Sequence, residues 1–232
     1  MQVVILCGGK GTRAYPLTAH VPKPMLPIGG VPILVHIMTL FAEQGHTEFV
    51  LAVGHHQSVI RDYFNTAKHP WSVDVVDTGN DTDTGDRILR CRHRLRERFF
   101  VTYGDGLADV PLGAVVAFHE AHAGCATVTC VPLACQFGLL DISSTGQATS
   151  FREKPVLREH WVNAGFMVLN QEVFNHWKGS SFERDVLPLL TRGGHLFAYT
   201  HDGFFKSLDS HKDQQELESL AQSGRAPWQR RI

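Results

Sequence analysis

The chain has 232 residues, 43% of them hydrophobic and 19% charged, with a formal net charge of −1. That length is enough to bury a substantial core, and the composition is ordinary for a globular protein. The near-neutral balance supplies no general field for nucleic acid or an anionic membrane, so any anion must be held by a local site.

In chain order, Val3 to Leu6 is a continuous apolar run, the pattern of a strand buried on both faces. No basic segment precedes it and glycines end it after Cys7, so it is too short for a signal peptide or a membrane span. After the glycines, "VPILVHIMTLFAEQG" places Ile33, Leu34, Ile37, Met38 and Phe41 at helical spacing and closes at Gly45. "TEFVLAVG" reads as a second strand, "HQSVIRDYF" as a short helix and "WSVDVVDTG" as a third strand ending in a turn. "DRILRCRHRLRERF" holds six arginines beside an approximate stripe of Ile88, Leu89 and Leu95, which reads as the solvated face of a basic helix. "RFFVTYGDG" is a fourth strand that delivers Asp105, and "PLGAVVAFHEAHAG" is a helix with Pro111 in its first turn.

From Ala126 the pattern changes. "ATVTCVPL", "FGLLDIS", "ATSFREKP" and "WVNAGFMVLN" are strand-like with little helix between them. Helical segments return at "QEVFNHW" and "FERDVLPLL", and a strand-like "HLFAYTHDGFFKSLD" leads into the helix "SHKDQQELESLAQSG". No low-complexity linker or repeat divides the chain. The expectation is one α/β domain over 1–232: a mostly parallel central sheet flanked by helices over 1–125, and a mixed-sheet half over 126–232. Ligands of such sheets sit at the carboxyl ends of strands, where Gly8, Asp77 and Asp105 fall.

Cys7, Cys91, Cys125, Cys130 and Cys135 are odd in number and form no CxxC pair, and the last three recur every five residues, which matches no zinc-ligand spacing. They read as reduced, mostly buried thiols of a cytoplasmic protein. The fourteen histidines are scattered, with His55-His56 the one adjacent pair, which argues against a structural metal.

"CGGKGTR" follows a buried strand, so its backbone N–H groups would face the crevice above the sheet and could meet a polyphosphate closely. It fails the Walker A pattern, and it fails the dinucleotide fingerprint because Ala14 stands at the third glycine. Tyr15, Pro16, Pro22 and Pro24 keep the chain out of helix until about Val31. A glycine turn with two solvated cations, Arg13 and Lys23, is the bland alternative. Against it, the prolines flanking Lys23 stiffen the segment and would aim its ammonium.

"GGKGTR" followed by "PKPMLPIGGVPIL" resembles the signature of sugar-1-phosphate nucleotidylyltransferases, and the likeness continues in order through "YGDG", "REKP", "VNAGFMVLN" and the aspartate of "FFKSLDSHKD". "VDTGNDTDTGDRILR", "TYGDGLADV" and "GRAPW" most resemble the glucose-1-phosphate cytidylyltransferases. The resemblance implies a Rossmann-like nucleotidyltransferase fold, with 1–125 binding nucleotide and 126–232 binding the acceptor. The implied reaction is attack of a sugar-1-phosphate on the α-phosphorus of a nucleoside triphosphate, CTP above all, with loss of pyrophosphate. The same chemistry with dTTP, UTP, GTP or another phosphate or phosphonate acceptor stays open, as does a non-catalytic subunit that binds a nucleotide sugar.

By the same resemblance, Arg13 and Lys23 are catalytic, one on the leaving pyrophosphate and one between the reacting phosphates. Leu6, Gly8, Gly9, Gly11, Thr12, Tyr103 and Gly104 join them around the nucleotide, with Thr78, Gly79, Thr84 and Gly85 reading the base. Gly138, Glu153, Lys154 and Asn163 are implied for the acceptor, and Asp105 and Asp209 for Mg²⁺. Lys206, a departure from the family pattern close to Asp209, joins the acceptor set as the mark of a more anionic or differently shaped acceptor. Taken singly, Asp105 could be a turn aspartate and Asp209 a helix cap. Implied partners are the two substrates and further copies of the chain, with no nucleic acid or membrane. The segment "NTAKHP" is shorter than its counterpart in the family, and Phe205 and Lys206 replace a tryptophan and a neutral polar residue.

Overall fold

The computed structural model describes residues 1–229. In chain order its strands and helices are β1 (Gln2–Cys7), β2 (Pro27–Ile28), β3 (Val31–Pro32), α1 (Ile33–Ala42), β4 (Glu48–Val53), α2 (Gln57–Thr66), β5 (Ser72–Asp77), α3 (Thr84–Cys91), β6 (Arg98–Tyr103) and β7 (Gly106–Ala108). There follow α4 (Leu112–Glu120), β8 (Ala126–Ala134), β9 (Leu139–Ile142), β10 (Ala148–Arg152), β11 (Val156–Asn170), α5 (Leu187–Arg192), β12 (Leu196–Thr200), β13 (Phe205–Ser207) and α6 (His211–Gln222).

Seven strands form the central sheet in the order β12, β8, β11, β6, β1, β4, β5. β6, β1, β4 and β5 are mutually parallel, as are β12 and β8, while β11 runs antiparallel to both of its neighbours. The apolar run of β1 explains its central place, because a strand buried on both faces needs apolar side chains of both parities. Val3, Ile5 and Cys7 enter one core with α1, while Val4 and Leu6 enter the other with α3.

Three segments depart from the sequence expectation. β11 begins at Val156 and so takes in "VLREH", accommodated by shifts of register against β8. "HLFAYTHDGFFKSLD" divides into β12 and β13, which lie in different sheets. Asp109 causes the break: its Oδ1 meets the His201 ring at 2.7 Å and accepts the backbone N–H of Phe204 at 2.7 Å, drawing the chain off the large sheet to pair with β7. The arginine-rich stretch is helical only to Cys91, with a 3₁₀ turn beyond, and Arg87 within it is buried rather than solvated.

α6 lies across the loop that joins β1 to α1. Glu218 accepts the N–H of Gly29 at 2.7 Å and Gln214 donates to the Pro27 carbonyl at 3.2 Å. Beyond α6, buried Trp228 donates its indole N–H to His36 of α1 at 3.3 Å.

Candidate active site

The glycines leave β1 at the carboxyl end of the sheet. Gly11 has φ +64°, and a Cβ there would stand 2.9 Å from the Thr18 methyl and 3.3 Å from Lys23 Cβ, so no side chain fits. Two short 3₁₀ turns, Thr12–Ala14 and Lys23–Met25, shape the loop where the sequence indicated only irregular chain. Pro22 is extended and Pro24 sits inside the second turn, which carries Lys23 inward until only 7% of the residue is exposed.

The Lys23 ammonium donates to Asp105 Oδ2 at 2.7 Å and to Asp209 Oδ1 at 2.7 Å. Asp105 follows β6 and Asp209 follows β13, so one buried lysine joins three distant parts of the chain. Arg13 Nη2 lies 3.0 Å from the same Asp209 oxygen, with most of its side chain in solvent and able to meet a ligand. Burial alone would raise the Asp209 pKa, but the Lys23 ammonium and the Ser207 hydroxyl outweigh it and hold this carboxyl below its ordinary value. Two carboxylates converging on one cation make an all-oxygen donor pair, a set that fits a hard divalent ion such as Mg²⁺.

A cavity of about 600 Å³ opens above this cluster. Leu6, Gly8, Gly9, Gly11, Thr12 and Arg13 line one side, and Tyr103, Gly104 and Asp105 descend from the end of β6. Lys23, Thr84 and Asn163 complete the predicted residues that reach it. On the far wall Glu183 accepts the Tyr103 hydroxyl at 2.6 Å and the Thr84 hydroxyl at 2.5 Å. Asn163 donates to the Tyr103 oxygen at 3.1 Å, and its own carbonyl accepts the N–H of Gly165 at 2.9 Å, which fixes the amide orientation. Burial, then the charge of Glu183, pushes the Tyr103 pKa up, so the phenol stays neutral and remains a donor.

Glu183 and Arg87 line the cavity too, and the sequence reading missed both. Arg87 is 3% exposed and, among the described residues, makes no ion pair with a carboxylate, although Asp77 and Asp83 act on it from a distance. Its guanidinium instead donates to the carbonyls of Gly8 at 2.9 Å and Gly79 at 2.7 Å and to the Thr78 hydroxyl at 2.6 Å. It thereby ties the glycine loop to the turn after β5. Gly8 is glycine for that reason: a Cβ there would lie 2.1 Å from the Arg87 guanidinium. Replacing Arg87 with methionine strands several buried acceptors at once, so it should cost about 2–4 kcal/mol in a urea titration. The available signal was positional, since Arg87 shares a helix face with Cys91, one step from Ile88, and all three are buried. Nothing in "FERDVLPLL" distinguishes Glu183.

Other predicted residues lie away from the cavity lining. Thr78 is fully buried, donating to the Val53 carbonyl at 2.7 Å, and Gly79 is held beneath Arg87. Gly85 packs on the chain at Ser180, whose carbonyl oxygen would lie 2.6 Å from a Cβ. From the same turn Thr82, Asp83 and Thr84 face the cavity instead. Gly138, Glu153 and Lys154 belong to the ends of the β9–β10 hairpin, where Gly138 packs on the Phe151 ring and Lys154 pairs with Glu153 at 3.2 Å in solvent. Lys206 turns toward α6, with its ammonium 2.6 Å from Glu216 and 3.0 Å from Asp213. Those two carboxylates neutralise it, which removes the reason to assign it to an anionic acceptor.

Residues 2–205 match the model of the family described as "Nucleotidyl transferase". The chain is 38% identical to a glucose-1-phosphate cytidylyltransferase of Salmonella typhi, with 98% of each chain covered. It is 35% identical to a probable glucose-1-phosphate cytidylyltransferase of Bacillus subtilis, covering 98% of this chain and 99% of that one. Among solved structures, HddC from Yersinia pseudotuberculosis superposes with a TM-score of 0.73 at 24% identity, over 95% of this chain and 99% of that one. The glycine loop at the end of β1, the seven-stranded sheet beneath it and these matches agree: the chain belongs to the nucleotidyl transferase family.

Proposed function

We propose that this nucleotidyltransferase transfers CMP from CTP to glucose-1-phosphate, releasing pyrophosphate and forming CDP-glucose. The observation that carries the choice of substrates is the identity to the Salmonella enzyme along nearly the whole of both chains. The attacking group is already an ionised phosphate, so the chemistry calls for positioning and charge stabilisation rather than a general base. Backbone N–H groups from Gly8 to Thr12 hold the triphosphate. Arg13 takes the β- and γ-phosphates with its planar fork. Lys23 meets the α-phosphate and the incoming sugar phosphate as a point charge. Thr84 and its neighbours Thr82 and Asp83 face the base, while Asn163, fixed by Tyr103, faces the sugar. Asp105 and Asp209 hold Mg²⁺, which, when bound, neutralises charge on the phosphoryl oxygens.

The test is pyrophosphate release across a matrix of nucleoside triphosphates and acceptor phosphates with Mg²⁺. Preference for CTP with glucose-1-phosphate is expected. A clear preference for dTTP, UTP or GTP overturns the base, another preferred acceptor overturns the sugar, and no turnover anywhere leaves a nucleotide-sugar binder.

The chain also works, on this proposal, as one domain in the cytoplasm, in copies that associate. The single sheet drawing strands from both halves supports the first point. Among the described residues no helix is long and apolar enough to cross a membrane, which is in keeping with the second. Phe137, Leu140, Ile142 and Phe151 of the β9–β10 hairpin are exposed together, apolar surface of the kind that a second copy covers. Light scattering should therefore report an oligomer, and Phe151→Asp should lower its mass; a monomeric wild type would refute the association.

A further inference from the structure

Cys125 and His195 are side by side although the sequence separates them widely. Each stands one residue before a strand, Cys125 before β8 and His195 before β12, and these strands pair in parallel with Leu196 opposite Ala126. A hydrogen bond of 3.1 Å from the Ala126 N–H to the His195 carbonyl fixes the register at this point. His176 closes the 3₁₀ turn that follows β11 and brings its ring to the same place, 3.9 Å from the His195 ring between centroids. The Cys125 sulfur and one nitrogen of each ring all lie within 4.8 Å of one another.

The surroundings leave these atoms available. Among the described residues no side-chain hydrogen bond engages the ring of His176 or His195, and the Glu172 carboxylate lies 3.9 Å from His176 Nε2. The Cys125 thiol is buried, and burial followed by the Glu172 carboxylate pushes its pKa to about 11. The Glu172 charge thus reaches the sulfur as well as the ring. β8 runs parallel to β6, because β11 is antiparallel to both, so this cluster sits at the end of the sheet opposite the glycine loop. It is separate from the cavity described above.

We propose that Cys125, His176 and His195 form a Zn²⁺ site, with Glu172 or water as the fourth ligand, that clips together the starts of β8 and β12 and the turn after β11. A thiolate with two imidazoles suits this borderline-soft ion in tetrahedral geometry and does not suit Mg²⁺. Binding replaces the thiol proton, which passes to solvent, so affinity rises with pH. No spacing in the sequence signals the cluster, because the three ligands come from separate segments that only the sheet brings together.

The experiment uses the whole chain, stripped with a chelator and titrated with Co²⁺ under excess Mg²⁺, which keeps Asp105 and Asp209 out of the reading. One equivalent should produce a thiolate-to-Co²⁺ charge-transfer band with the visible bands of a four-coordinate ion, and Zn²⁺ should displace it. Cys125→Ser should abolish the charge-transfer band, and His195→Gln should weaken Zn²⁺ binding at least about 10-fold. Circular dichroism checks that each variant is folded. If the serine variant fails to fold, His195→Gln and His176→Gln, at partly exposed positions, decide the matter. Absence of the band in the wild-type chain, or undiminished affinity in both histidine variants, overturns the site and leaves a stacked histidine pair beside an ordinary buried thiol.

Discussion

Lys23→Met should lower kcat for pyrophosphate release at least about 10²-fold, the scale on which one preorganised charge-stabilising group is lost. Methionine replaces the aliphatic stem and omits the ammonium, so packing around Pro22 and Pro24 is largely kept. Asp105 and Asp209 lose their shared counter-charge, with each at 2.7 Å from Nζ in the wild type. The two carboxylates then repel each other and attract other cations more strongly. The variant should therefore reach half-maximal rate at a lower Mg²⁺ concentration even as its maximal rate collapses. A kcat within a few-fold of wild type at saturating substrates would show that Lys23 only holds the two carboxylates in place.

Asp105→Asn is expected to cut kcat by a similar factor, at least about 10²-fold, but to move the metal requirement upward. Asparagine keeps the shape of the side chain and an oxygen able to accept from Lys23. It also suits the turn after β6 as well as aspartate does, and the Leu208 N–H bond to the carbonyl of residue 105 involves only the main chain. A turn aspartate would therefore tolerate the change. Only a role that needs the negative charge predicts a large loss, and the opposite shifts in Mg²⁺ dependence separate this variant from Lys23→Met. Unchanged turnover would return Asp105 to the turn.

The parts of the site legible in the sequence were those whose chemistry is local. Gly8, Gly11 and the prolines around Lys23 speak of backbone shape, and the fold uses them for shape. The succession of sheet strands and helices along the first half is legible from the alternation of apolar runs with helical spacing, because a parallel sheet leaves that record residue by residue. Two kinds of information were hidden. Arg87 looked like one of six solvated arginines, since its partners are carbonyl groups that no sequence pattern marks. Glu183 reaches the cavity from a segment with no motif, joined to Thr84 and Tyr103 by tertiary packing alone. The turn after β5 is legible in the sequence, but which of its residues face inward and which outward is not. Thr78 is buried beneath the loop while Thr82 to Thr84 face the cavity, a distinction set by the path of the turn rather than by residue type. Lys206 is the converse case, a charge close to Asp209 in sequence that pairs with Asp213 and Glu216 of α6.

The bond between Lys23 and Asp209 spans 186 positions, and α6 roofs the same loop through Glu218 and Gln214. During synthesis the glycine loop leaves the ribosome long before either partner exists, at a pace of about 5–20 residues per second. Until the last helix arrives, Lys23 has at most one of its two counter-charges and the loop lacks its cover. The first-made loop is therefore the last to gain all its contacts, and a chain cut before Asp209 that still folds its central sheet lacks one of the two carboxylates on Lys23 and the cover of the loop. Rigidity of the glycine loop thus depends on the segment furthest from it in sequence, Asp209 with α6.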